Sequence, residues 1–267
     1  MTRIGCMFQN LKAQGRKGLV AYLTAGDPSP ERTPDLVDAL VRGGADLIEL
    51  GVPFSDPIAD GPVIQRAGQR APKAGTTLRS ALAIAARIRE RSEVPLLLFT
   101  YLNPVLRYGL ERLAEDAVRA GIDGCLLIDA SVEEAHEYIG AMHRHGLDTV
   151  FLATPTSTTR RLKLVAEYST GFVYLVSRTG VTGERDSLSD QVAPLVRAVR
   201  EVTGLPLAVG FGISKPEQVA ELGRQVEAVV VGSAIVRLIE KNADNASLEL
   251  QLESYVRELK HGFGVPA

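Results

Sequence analysis

Eight short apolar runs, alternating with stretches of helical period along a 267-residue chain, predict a single (β/α)8 TIM barrel with an extra N-terminal helix. Two further observations point the same way. The runs are apolar throughout rather than every second residue, as strands buried on both faces of a parallel sheet are. The residues that no regular element tolerates, Gly, Pro, Asp and Ser, gather directly after those runs, where such a barrel carries its chemistry. No stretch reads as a linker or a low-complexity tract, so residues 1–267 are expected to form one domain.

Taken in order, an amphipathic helix over about Arg3–Gln14 is expected to cover the bottom of the barrel. The strands are expected at Leu19–Thr24, Asp46–Leu50, Pro95–Tyr101, Gly124–Ile128, Thr149–Ala153, Phe172–Ser177, Leu207–Val209 and Ala228–Val231. Helices follow at Pro34–Arg42, Leu78–Arg91, Glu111–Ala120, Val132–His145, Arg160–Tyr168, Asp190–Val202, Pro216–Leu222 and Ile235–Asn242. The alternative is a doubly wound open sheet. Against it, the first strand is followed by Gly26-Asp27-Pro28 and not by the Gly-rich turn that opens a dinucleotide-binding unit.

The bulk numbers exclude several classes of function. With 45% hydrophobic residues the chain can bury a large core, and a net charge of −2 without a basic run speaks against nucleic acid as a partner. No apolar run approaches the length of a membrane span, and the N-terminus lacks the apolar core of a signal peptide, so the expected location is cytoplasmic. Cys6 and Cys125 show neither metal spacing nor a disulfide framework. His136, His143, His145 and His261 fall on segments expected to be solvated, without a second ligand set, so no metal is expected.

The densest chemistry lies in DLIELGVPFSDPIADG, Asp46 to Gly61. Glu49 stands inside an apolar strand, where a carboxylate loses hydration and its pKa rises toward neutrality. Asp60 closes the Pro/Gly-rich loop that follows, just before Pro62, and could serve either as an acid partner or as the N-cap of the next helix. Glycines directly after the seventh and eighth strands, Gly210-Phe211-Gly212 and Gly232, with Ser233 opening a helix, have the pattern of a backbone phosphate cradle. That cradle is expected to work without Lys or Arg, since neither stands in those loops. The loop after the sixth strand, 178–189, is long and rich in Gly, Ser and Thr, as a closing lid is.

The stretches LTAGDP (Leu23–Pro28), ELGVPFSDPIADGP (Glu49–Pro62), SRTGVTG (Ser177–Gly183), GFGIS (Gly210–Ser214) and VGSAIV (Val231–Val236) together resemble the tryptophan synthase α-subunit family over almost the whole chain. The resemblance implies a lyase performing retro-aldol cleavage of indole-3-glycerol phosphate to indole and glyceraldehyde 3-phosphate. It implies Glu49 as the general acid/base, Asp60 at the indole N–H, and a pocket lined by Tyr22, Ile64, Tyr101, Leu126, Tyr174 and Phe211. Thr182 is implied to orient Asp60, and Gly183, Gly212, Gly232 and Ser233 to hold the phosphate. It further implies an α2β2 heterotetramer with a β-subunit, which holds the pyridoxal phosphate; none is expected in this chain. The sequence departs from the family at Asp129-Ala130, where proline is usual second, and at Gln225-Val226-Glu227-Ala228; Tyr22 stands where Phe is also common. A phosphosugar isomerase barrel needs other catalytic residues, and a purely regulatory subunit has no physical need for a buried carboxylate such as Glu49.

Overall fold

The structure, a computed structural model, describes residues 2–176, 188–210 and 212–264. Its strands are β1 (Gly18–Thr24), β2 (Leu47–Gly51), β3 (Leu96–Thr100), β4 (Gly124–Leu127), β5 (Asp148–Thr149), β6 (Phe151–Ala153), β7 (Val173–Val176), β8 (Leu207–Gly210) and β9 (Ala228–Val231). All neighbours pair in parallel, in the order β5-β4-β3-β2-β1-β9-β8-β7-β6. The sheet edges β5 and β6 are halves of the predicted Thr149–Ala153 strand, parted at Val150. Thr149 pairs with β4 and Phe151 with β7, so the strand changes partner at one residue and the barrel all but closes there.

Side chains alternate across the barrel wall. On β1, Val20 and Tyr22 face the interior cluster, while Leu19, Ala21 and Leu23 pack outward against the helices. On β2, Leu47 faces in and Ile48 and Leu50 face out, so the two-residue period of a strand turns Glu49 inward. Burying a neutral carboxyl costs roughly 1–3 kcal/mol, the same order as the stabilisation from one fully buried Leu, so this interior can hold it.

Helix α1 (Arg3–Ala13) covers the bottom. Thr2 caps it by accepting from the Gly5 N–H at 3.2 Å, and Ile4 and Phe8 plug the barrel, with the Phe8 and Phe172 rings 5.7 Å apart. The Thr2 hydroxyl also donates to Asp148, which accepts from Thr170 Oγ1 at 2.8 Å. The other helices are α2 (Thr33–Arg42), α3 (Pro62–Lys73), α4 (Leu78–Arg89), α5 (Leu102–Tyr108), α6 (Leu110–Arg119), α7 (His136–Arg144), α8 (Thr159–Tyr168), α9 (Leu188–Arg200), α10 (Pro216–Gly223), α11 (Ser233–Lys241) and α12 (Leu248–His261).

Beyond the split strand, three helical elements differ from the sequence expectation. The stretch expected as one helix over Val132–His145 is a 3-10 turn, Val132–Glu134, followed by α7. Helix α5 is short and follows β3 directly; Asp129 accepts from its Leu102 N–H at 2.7 Å. Helix α12 buries Leu248, Leu252, Val256 and Leu259 on one face and packs on α2, with Arg32–Glu249 and Arg42–Glu253 ion pairs at 2.7 and 2.8 Å.

Cys6 is exposed on α1, whereas Cys125 is buried in β4, where desolvation pushes its thiol up to about 12. Among the described residues no helix is long and apolar enough to cross a membrane.

Candidate active site

Strand β2 delivers Glu49 to the open end of the barrel, and Gly51 ends the strand. The following loop turns back on itself: the Asp60 N–H donates to Pro57 O at 3.1 Å, and Gln65 Nε2 donates to Asp60 O at 2.9 Å. Gly61 and Pro62 then start α3, and no side chain caps it. The Asp60 carboxylate is therefore not a cap; it lies beside Tyr101, whose hydroxyl accepts from the Ala59 N–H at 3.2 Å. The ring of Tyr101 stacks on Phe54, centroids 5.0 Å apart, so one tyrosine holds both arms of the loop.

Glu49 and Asp60 line one cavity of about 270 Å³, together with Tyr22, Tyr174, Ile64 and Phe99. Glu49 is 1% exposed, and its Oε1 has no hydrogen-bond partner among the described residues. Desolvation alone raises its pKa to about 8. Asp60 is half-buried; desolvation raises its pKa to about 6, against a lowering hydrogen bond from Tyr101. At pH 7 one carboxyl is then mainly protonated and the other mainly ionised, which separates an acid from an anion within one cavity. Tyr22 and Tyr174 flank Glu49 from β1 and β7, and burial raises both phenols, keeping them neutral.

The far end of the cavity is built from backbone. Gly212 has φ +70°, in the left-handed region that favours glycine, and Gly232 precedes Ser233, the first residue of α11. That helix end lines the cavity, and the N–H groups of a helix's first turn, which have no acceptor within the helix, are a favourable setting for an anion. Arg237 lines the same cavity, one turn further along α11. The sequence reading found no Lys or Arg in the loops themselves and did not name this side chain of α11. The signal was available, because Ser233 and Arg237 stand four apart and share a helix face.

Two predicted lining residues lie elsewhere. Leu126 faces inward, but Ile128, two residues on and nearer the mouth, takes the wall position. Tyr101 lies past the end of β3 and turns under the Asp60 loop, leaving Phe99 on the wall. Thr182, Gly183 and Phe211 lie outside the described residues, as do residues 178–187 of the predicted lid over 178–189; Leu188 and Ser189 open α9.

A network that the sequence did not suggest fixes the surroundings. Asp27, 1% exposed in the loop after β1, is held by Arg70 through two hydrogen bonds of 2.8 Å. Arg70 also pairs with Glu240 of α11 at 2.6 Å, and Arg66 pairs with Glu240 at 2.7 Å. Helix α3, which starts beside Asp60, is thereby bolted to α11, which starts at the glycine-lined part of the cavity. Among the described residues there is no group of His, Cys, Asp and Glu able to hold a metal.

The profile of the family described as tryptophan synthase alpha chain matches residues 8–263. The tryptophan synthase alpha chain of Solibacter usitatus (strain Ellin6076) is 78% identical over 267 residues, covering 100% of both chains.

The chain belongs to the tryptophan synthase alpha chain family.

The family member of Geotalea uraniireducens (strain Rf4) is 50% identical over 98% of each chain. Among solved structures, tryptophan synthase subunit alpha of Legionella pneumophila str. Paris superposes with a TM-score of 0.88 at 35% identity, covering 98% of each chain. A chain of Mycobacterium tuberculosis tryptophan synthase does so at 0.89 and 36% identity over 99% of each. The nearly closed parallel barrel is the barrel of these alpha chains. As a member of this family, the protein is a lyase that cleaves indole-3-glycerol phosphate, the alpha reaction of tryptophan biosynthesis.

Proposed function

We propose that Glu49 is the general acid/base of this cleavage and Asp60 the anion that faces the indole nitrogen. The observation that carries the reading is the pair of carboxyls on one cavity, one buried with an oxygen that has no hydrogen-bond partner among the described residues and one half-buried against Tyr101. Breaking the bond at indole C3 requires a proton on that carbon and removal of the proton from the adjacent side-chain hydroxyl. Glu49, protonated at pH 7, delivers the first; as a carboxylate it takes the second, the C3–carbon bond electrons return to the ring, and the aldehyde is released. Glu49 ends as it began. While C3 carries its extra proton the ring nitrogen is positive, and ionised Asp60 stabilises it by accepting the N–H hydrogen bond.

Tyr22, Tyr174, Ile64 and Phe99 form the apolar box for the indole, and Gly212, Gly232 and Ser233 hold the phosphate through backbone N–H groups. In this proposal Thr182 orients Asp60 and Gly183 adds to the phosphate contacts. This chain does its chemistry with side chains and holds no cofactor. The partner is a β-subunit in a cytoplasmic α2β2 assembly, which supplies its own pyridoxal phosphate. Two exposed apolar residues support a partner on the open end of the barrel, Ile58 (85% exposed) in the Asp60 loop and Leu106 (56%) on α5.

The test is indole release from indole-3-glycerol phosphate by the isolated chain, with and without a β-subunit. Release by the wild type, its loss in Glu49→Gln and its increase with the β-subunit are the expected results. Normal turnover by Glu49→Gln removes the acid/base assignment.

A further inference from the structure

Arg237 is the single cation among the described residues that line the active-site cavity, and nothing in the backbone cradle requires it. Its position follows from the helix: Ser233 begins α11, and a residue four further on projects from the same face, about 6 Å along the axis. Arg237 is exposed and makes no ion pair among the described residues. The acid best placed to neutralise it on its own helix, Glu240, is occupied by Arg66 and Arg70 of α3 at 2.7 and 2.6 Å. A charge left unpaired beside a cavity, with its neighbouring acid engaged elsewhere, is available to a ligand.

A second observation places the guanidinium toward the same end. It lies close enough to Tyr255 of α12 for its charge to act on that phenol, and the Tyr255 hydroxyl donates to Ser214 O at 2.9 Å. Ser214 follows Gly212 in the loop after β8, so Arg237 stands where the two anion-binding loops converge. Backbone N–H groups alone recognise an anion but discriminate weakly between one and two charges; a guanidinium adds a full positive charge and paired donors.

We propose that Arg237 is a specificity-determining residue that clamps the substrate's phosphate from the α11 side and selects a dianionic phosphate ester over a neutral or singly charged end group. This rests on the assignment of the cavity's glycine-lined end to the phosphate.

The experiment compares wild type, Arg237→Met and Arg237→Lys in two measurements. One is steady-state cleavage of indole-3-glycerol phosphate; the other is calorimetric binding of glycerol 3-phosphate, which needs no turnover. The expected result for Arg237→Met is a KM raised about tenfold and glycerol 3-phosphate binding weakened by a similar factor, with the loss falling on KM rather than kcat. Arg237→Lys should recover part of both, and the rise of the wild-type KM with ionic strength should flatten in Arg237→Met. Unchanged KM and unchanged glycerol 3-phosphate affinity in Arg237→Met overturn the clamp while leaving the cradle standing. Should Gly212→Val leave glycerol 3-phosphate binding intact, the cradle itself is misplaced, and that failure is distinct from the failure of Arg237.

Discussion

The Tyr22 hydroxyl occupies the space that a side chain on Gly51 would need: a Cβ at position 51 would lie 2.2 Å from it. The same relationship recurs across the barrel, where a Cβ on Gly210 would lie 2.2 Å from the Tyr174 hydroxyl. Both tyrosines flank Glu49, so two strand-end glycines set the width of the slot in which the acid works. Gly51→Ala is expected to push Tyr22 toward Glu49 and lower kcat/KM by about tenfold to a hundredfold, since misplacements of about 1 Å carry penalties of that order. Full activity in Gly51→Ala, measured by indole release, counts against a shape role for Tyr22.

The barrel could be read from sequence because its strands are fully apolar and its helices carry a 3.6-residue period; Leu47, Ile48 and Leu50 around Glu49 are sufficient to place that acid in a wall. What sequence could not supply was depth. Leu126 and Ile128 have the same parity and the same chemistry, and only the stagger of β4 decides which of them reaches the cavity. The resemblance implied Tyr101 as a pocket residue, but its hydroxyl accepts from the Ala59 N–H and so holds the loop before Asp60. The bond from Asp27 to Arg70 spans 43 residues, and no local pattern announces such a pair.

Replacing Glu49 by Gln is expected to reduce cleavage by about 10²–10⁴-fold with the fold retained, because the amide keeps the shape and cannot transfer a proton. The same variant tests the burial of the acid. Between about 4.5, its ordinary value, and about 8, its native value, the folded protein keeps a proton that the unfolded chain has released, so rising pH favours unfolding. Wild type therefore loses stability relative to Glu49→Gln across that window, by at most about 1.4 kcal/mol per pH unit. Melting temperatures of the two proteins that run parallel from pH 5 to 8.5 would show that Glu49 titrates normally.

The pH dependence of kcat/KM should be bell-shaped, with its acid limb near 6 from ionisation of Asp60 and its alkaline limb near 8 from loss of the Glu49 proton. Asp60→Asn removes the acid limb and lowers the rate. Tyr101→Phe deletes the hydrogen bond that holds the Asp60 pKa down and is expected to shift the acid limb upward; an unmoved limb would separate Tyr101 from Asp60.

Arg70→Met leaves Asp27, 1% exposed, without its ion-pair partner, and is expected to cost about 3 kcal/mol in urea unfolding. Adding Asp27→Asn should recover much of that loss, because the uncompensated buried charge is then gone. A double variant no more stable than the single one would mean that Arg70 acts mainly through Glu240.

The unequal exposure of the two thiols makes the native chain ready for single-site labelling. Cys6 lies open on α1 at the bottom of the barrel, and Cys125, buried with its thiol pushed to about 12, is protected both by access and by protonation. A maleimide dye should therefore attach at position 6 alone, without engineering. Because α1 is on the face opposite the cavity, a fluorophore there would follow tumbling and association with a β-subunit by anisotropy while leaving substrate entry unobstructed.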